Sequence, residues 1–199
     1  MMIDTVVPFS SPNPRPPTRV LLLPGWRNSG PGHWQTEWER RHGDVRVEQD
    51  NWQWPLRGDW MTRLEEALLA LPDGVQAVLA AHSLGCHLVA AWASHSSHAG
   101  RVAAALLVAP PDLQRPDLAP PLAPWSAAAG PGVRLPFVGQ VVYSLDDPYC
   151  TPARAREMAD GWACGSLAAG ALGHLNADSG LGAWAEGRAL LKSLAAGVR

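Results

Sequence analysis

Apolar residues in this chain gather into short continuous runs, separated by stretches with helical spacing. Val20-Leu21-Leu22-Leu23 is stopped by Pro24-Gly25, and Val45-Arg46-Val47 is a brief second run. Val75 to Ala80, Val102 to Ala109 and Phe137 to Tyr143 follow, with Ser166 to Ala169 as a weaker sixth. Runs without polar alternation read as strands covered on both faces, as in a parallel sheet. Between the first two runs, Trp34 and Trp38 lie four apart in a helical stretch from His33 to His42 that Gly43 closes. Trp60, Leu64, Leu68 and Leu71 share one stripe behind Asp59, a candidate N-cap, in a helix ended by Pro72-Asp73-Gly74. Further helices are predicted from Gly85 to about Ser94, from Thr151-Pro152 to Trp162, and from about Leu181 to Leu194. This βαβ rhythm predicts a mostly parallel twisted sheet of about six strands with helices on both faces.

Two stretches break the rhythm. Residues Met1 to Thr18 carry Pro8, Pro12, Pro14, Pro16 and Pro17 among polar residues, so a flexible tail is expected there, with one domain over residues 19–199. From Pro110 to Pro136 the chain holds eight prolines and little helical periodicity. No helical lid is expected over that interval, and any site beneath it should be open and shallow.

The third run ends at Ala81-His82-Ser83-Leu84-Gly85, where a strand-like segment turns directly into a helix-like one. That is the pattern of a nucleophile elbow, in which a strained turn projects a serine hydroxyl from the sheet edge. Of the twelve serines only Ser83 has glycine two residues later; the position two before is Ala81 rather than glycine. A capping serine in an ordinary strand-turn-helix is the plainer alternative. A serine hydroxyl at neutral pH needs a base and a group to orient that base. Asp147 lies just past the fifth run and His174, in Gly173-His174-Leu175-Asn176, just past the sixth. All three would stand at the C-terminal ends of parallel strands, in the chain order Ser, Asp, His. Asp146 is the alternative acid, and Asp147 is preferred because a residue before proline is held extended. The backbone N–H of Leu84 is one candidate oxyanion donor. That of Trp26, after the first run, is the other. His33 borders this loop, and Trp52 and Trp54 could line a substrate pocket. His82, His87, His95 and His98 read as structural, the last three for want of carboxylate companions.

Composition narrows the partners. A formal charge of -2 with no basic run argues against nucleic acid or an anionic membrane, and no stretch approaches the length of a membrane span. Cys86, Cys150 and Cys164 are odd in number and lack metal-ligand spacing, so no disulfide framework, metal or cofactor is expected, and a reducing, cytoplasmic setting fits.

Leu22-Leu23-Pro24-Gly25-Trp26, His33-Trp34, Gln49-Asp50-Asn51-Trp52, His82-Ser83-Leu84-Gly85-Cys86, Asp146-Asp147-Pro148-Tyr149 and Gly173-His174-Leu175-Asn176 together resemble a known family. It is the small single-domain serine hydrolases of the YdeN and retinoblastoma-binding-protein-like type. The resemblance implies a compact α/β-hydrolase fold with a reduced sheet and a triad on Ser83, Asp147 and His174. It also implies a small-molecule acyl substrate, an ester or an amide; the ordered triad and the expected lidless site favour small carboxylic esters, as for a carboxylesterase. Peptidase or thioesterase action through the same residues, or a non-catalytic binding role on the same fold, are the alternatives.

Overall fold

The computed structural model describes residues 16–126 and 133–197. Six strands form one all-parallel sheet: β1 (Thr18–Leu23), β2 (Val45–Arg46), β3 (Gln76–His82), β4 (Val102–Val108), β5 (Val138–Tyr143) and β6 (Gly165–Ala168), in the order β2-β1-β3-β4-β5-β6. Helices α1 (Trp34–His42), α2 (Arg57–Leu69), α3 (Leu84–Ala93), α4 (Ala123–Ser126), α5 (Pro152–Gly161) and α6 (Ala185–Gly197) connect or follow them. Strand β3 shows why the runs lack polar alternation. Leu79 and Ala81 join the core that α2, α3 and α5 cover, while Val78 and Ala80 join the core that α1 and α6 cover. Both faces of the strand are therefore dry, and both must be apolar.

Several boundaries differ from the expectation. Thr18 belongs to β1 and pairs with Gln76, whose N–H donates to the carbonyl of Pro17, so order begins inside the expected tail. Proline lacks a donor but its carbonyl still accepts. Most of that tail, residues 1–15, lies outside the described residues. Asp59 does not cap α2. The helix starts at Arg57 with Leu56 in the cap position and no capping side chain, and Asp59 sits in the first turn, where its charge suits the helix dipole. The last helix, expected from about Leu181 with Trp184 on its stripe, starts only at Ala185, so Trp184 precedes α6. Its indole folds back over Gly187, where a Cβ would come within 2.2 Å of the ring. Pro120–Leu122 forms a 3-10 turn that runs into the single turn of α4, a short helical cap in the proline-rich interval; residues 127–132 of that interval lie outside the description. His98 does have a carboxylate companion: its Nδ1 lies 2.5 Å from Glu65, which also accepts from Trp92 and Ser96. Sequence spacing could not reveal this pair, because the partner is on α2. Among the described residues no helix is long and apolar enough to cross a membrane.

Candidate active site

The sheet order decides what meets at its C-terminal edge. Strand β1 sends the chain to β2 on one side and lies against β3 on the other, so the loops after β1 and β3 face one another across a topological switch point. Leu23 pairs with Ala81, which brings Gly25 against Ser83. Ser83 itself has φ 55 and ψ -124, a conformation that L-residues rarely adopt and that surrounding contacts must enforce. Two contacts do so: the Ser83 N–H donates to Val108 O at 2.9 Å, and α3 packs so close to β1 that a Cβ on Gly85 would stand 2.3 Å from Leu23 O. The glycine two residues after the serine is thus a steric requirement. Ala81, fully buried, fits at the other flank.

His174 is held over Ser83 by contacts from four directions. Gly173 N–H donates to Asp146 at 2.8 Å, and Leu172 N–H donates to the Ser144 hydroxyl at 2.8 Å. Trp34 Nε1–H donates to Leu175 O at 3.0 Å. His82, read from the sequence as a packing residue, donates from Nε2 to the carbonyl of His174 at 2.9 Å. The His174 ring then lies with Nε2 3.0 Å from Ser83 Oγ and Nδ1 2.9 and 3.0 Å from the two Asp147 oxygens. A carboxylate on Nδ1 fixes the proton there, which leaves Nε2 bare to accept from the serine. The Asp147 side chain is only 2% exposed. Of the two acids considered, Asp147 reaches the imidazole; Asp146 instead bridges Ser144 and Gly173, and those bonds hold its carboxyl below the usual range.

Of the residues assigned to the oxyanion site, Leu84 opens α3 and Trp26 follows Gly25. Among the described residues neither backbone N–H donates to a protein acceptor. The turn that carries Trp26 is braced by Arg46, whose side chain is 7% exposed. Its guanidinium donates to Asn28, Ser29 O, Thr36 and Glu39. Trp26 Nε1–H donates to Gln53 O, fixing the indole.

A cleft of about 410 Å³ opens in front of Ser83 and His174. His33 lines it, caps α1 through Nδ1, and packs edge-on to His82 at 4.6 Å. Burial, and then the charge of Arg46, holds His33 down at about 3; burial holds His82 well below its ordinary value, so both rings are neutral. Trp52 and Trp54 do not reach the cleft lining. Trp52 turns to Trp60 with ring centres 5.4 Å apart, and Trp54 points outward, 61% exposed. The walls come instead from Trp26, Arg27, Arg115, Leu118, Ala119, Leu122 and Tyr149. Most of these sit in loops without periodicity, so no sequence signal marked them. His82 could have been noticed, since a histidine ending an otherwise apolar buried strand needs a hydrogen-bond partner.

A strained serine at the end of a central parallel strand, facing a histidine from a later loop, defines the class of α/β hydrolases. Within that class the chain belongs to the serine hydrolase family, whose model matches residues 20–193. Solved structures agree. The chain is similar to a putative YdeN-like hydrolase from Pectobacterium atrosepticum at 28% identity, with 90% of each chain covered and a TM-score of 0.74. It also matches the ydeN gene product of B. subtilis at 20% identity, covering 89% of this chain and 98% of that one, with a TM-score of 0.70. The type II thioesterase BorB of the borrelidin biosynthetic cluster shares the fold at 19% identity, with 96% and 94% covered and a TM-score of 0.55. A search of curated proteins gave no match.

Proposed function

We propose that this serine hydrolase cleaves small carboxylic esters through an acyl-enzyme, with Ser83 as nucleophile, His174 as general base and acid, and Asp147 as the group that orients the imidazole. The carrying observation is the unbroken hydrogen-bonded line from Ser83 Oγ through His174 to Asp147. Ser83 Oγ attacks the ester carbonyl as its proton passes to His174 Nε2, and Asp147 stabilises the imidazolium. The carbonyl oxygen gains negative charge and is received by the N–H groups of Trp26 and Leu84, each donor worth roughly 2.7–4 kcal/mol. His174 then protonates the departing alcohol, and water enters by the same route in reverse to release the acid. A cleft of about 410 Å³, bordered on one side by Leu118, Ala119 and the turn that carries Leu122, suits a short acyl group. Three free cysteines fit a reducing compartment, and the cytoplasm is the proposed location.

Treatment with a fluorophosphonate followed by intact and peptide mass spectrometry tests the assignment. One adduct on Ser83 is expected, absent from Ser83→Ala and lost with His174→Ala. Folded protein without an adduct refutes it. Turnover of matched ester, thioester and aminoacyl amide substrates then ranks the acyl bond.

A further inference from the structure

We propose that Arg27 is a specificity-determining residue that receives an anionic group, a carboxylate first of all, on the substrate presented to Ser83. This rests on the proposed hydrolytic role of Ser83 and names the class of molecule that role would serve. The cleft lining contains three charged side chains outside the serine–histidine pair: Arg27, Arg115 and Asp117. Two of them neutralise each other. Arg115 grips both Asp117 oxygens at 2.5 Å and spends a further donor on Pro148 O at 2.9 Å. Asp147 is committed to His174. Among the described residues Arg27 makes no ion pair and no side-chain hydrogen bond, so it is the one uncompensated formal charge lining the cleft.

The side chain is also seated. Its guanidinium carbon lies 4.1 Å from the centre of the Trp26 ring, and that indole is anchored through Nε1–H to Gln53 O at 2.9 Å. Stacking on an aromatic face restrains the guanidinium while leaving its N–H fork free at the edge, the geometry that binds carboxylate with two parallel bonds. The backbone adds a third observation. Arg27 has φ 69, a left-handed conformation with no glycine to relieve it, followed by Asn28 at φ 66. Asparagine is tolerated there; an arginine is strained, and local strain of this kind gathers at ligand sites. Arg27 directly follows Trp26, whose N–H is proposed for the oxyanion, and both residues line the cleft, so an anion bound to Arg27 would share that cleft with the ester presented to Ser83. The aliphatic remainder of the ligand would meet Leu118, Ala119 and Leu122.

The test separates recognition from turnover. Ser83→Ala protein is titrated by calorimetry with p-nitrophenyl hydrogen glutarate (anion on the acyl side), 4-(butyryloxy)benzoate (anion on the alcohol side) and neutral p-nitrophenyl pentanoate. Each is repeated with Arg27→Glu, Arg27→Gln and, as a control for overall charge, Arg40→Glu. At least one anionic ester should bind more tightly than the neutral one. Its advantage should fall about tenfold in Arg27→Glu, less in Arg27→Gln, and persist in Arg40→Glu, as for a charge-assisted bond partly screened by water. The ratio of kcat/KM for the same esters should move in parallel when Ser83 is present. An anionic-to-neutral ratio unchanged in both Arg27 variants, or no preference for either anion at the outset, overturns the proposal. Absence of turnover with every ester sinks the hydrolytic reading while leaving the binding result to stand or fall by itself.

Discussion

Gly25→Ala places a methyl group where the structure leaves no room. A Cβ at that position would stand 2.7 Å from Ser83 Cβ, 3.1 Å from Ser83 Oγ and 3.2 Å from His82 O. Ordinary contact begins near 3.4 Å, so one side must retreat by about 0.7 Å. Ser83 is clamped between β3 and α3 and bonded to Val108 O, whereas Gly25 and Trp26 belong to a turn. The turn should therefore move, and it carries the Trp26 N–H away from the oxyanion position. Loss of one such donor lowers kcat by about 10²–10³, and overpacking costs about 1–3 kcal/mol of stability. The assay is kcat on p-nitrophenyl acetate, with circular dichroism and a thermal melt to establish folding. A folded variant whose kcat stays within about threefold of the parent would refute the assignment of Trp26 to the oxyanion site.

The two neighbouring aspartates should separate cleanly. Asp147→Asn leaves the shape intact but favours the wrong imidazole tautomer, so kcat should drop about 10³–10⁴, whereas Asp146→Ala only loosens the His174 loop and should cost about tenfold. Equal losses in the two variants would contradict the division of labour between them. Acid should unfold the protein early. His33, His82 and His87 are buried and neutral, with His33 held at about 3 and His87 at about 4 by burial. The unfolded chain takes up protons below about pH 6.5 where the native state does not, so stability is intact above that pH and lost as pH falls toward 4, by about 2 kcal/mol at pH 5 for each of His33 and His87, with His82 acting in the same direction. Urea midpoints measured from pH 7 to 4.5 give the slope, and His87→Gln should flatten it; a slope unaltered by that substitution would show that other groups govern it.

Much of the framework could be read along the chain because its signals are local. A strand buried on both faces must be apolar throughout, which is why β1, β3, β4 and β5 stood out as runs. A serine between small residues at a strand-helix junction marks a tight elbow, since a side chain at Gly85 would meet the backbone of Leu23 in β1. The Asp147-Pro148 step fixes its own backbone direction. The edges were less legible. Thr18, Asp59 and Trp184 were misplaced because a strand's first pair, a helix's first turn and a folded-back indole depend on partners elsewhere in the chain.

Residue order alone therefore determined the layered parallel architecture and which serine, acid and histidine could stand at its rim, through hydrophobic periodicity and backbone sterics. What lines the cleft was decided only by tertiary structure. Trp52 and Trp54 turn away, Leu118 and Leu122 turn inward, His82 reaches the His174 carbonyl, and Arg27 is left without a counterion while Arg115 is matched. Side-chain direction in loops and the pairing of charges depend on distances between segments far apart in the chain, and those distances exist only once the sheet has closed its register.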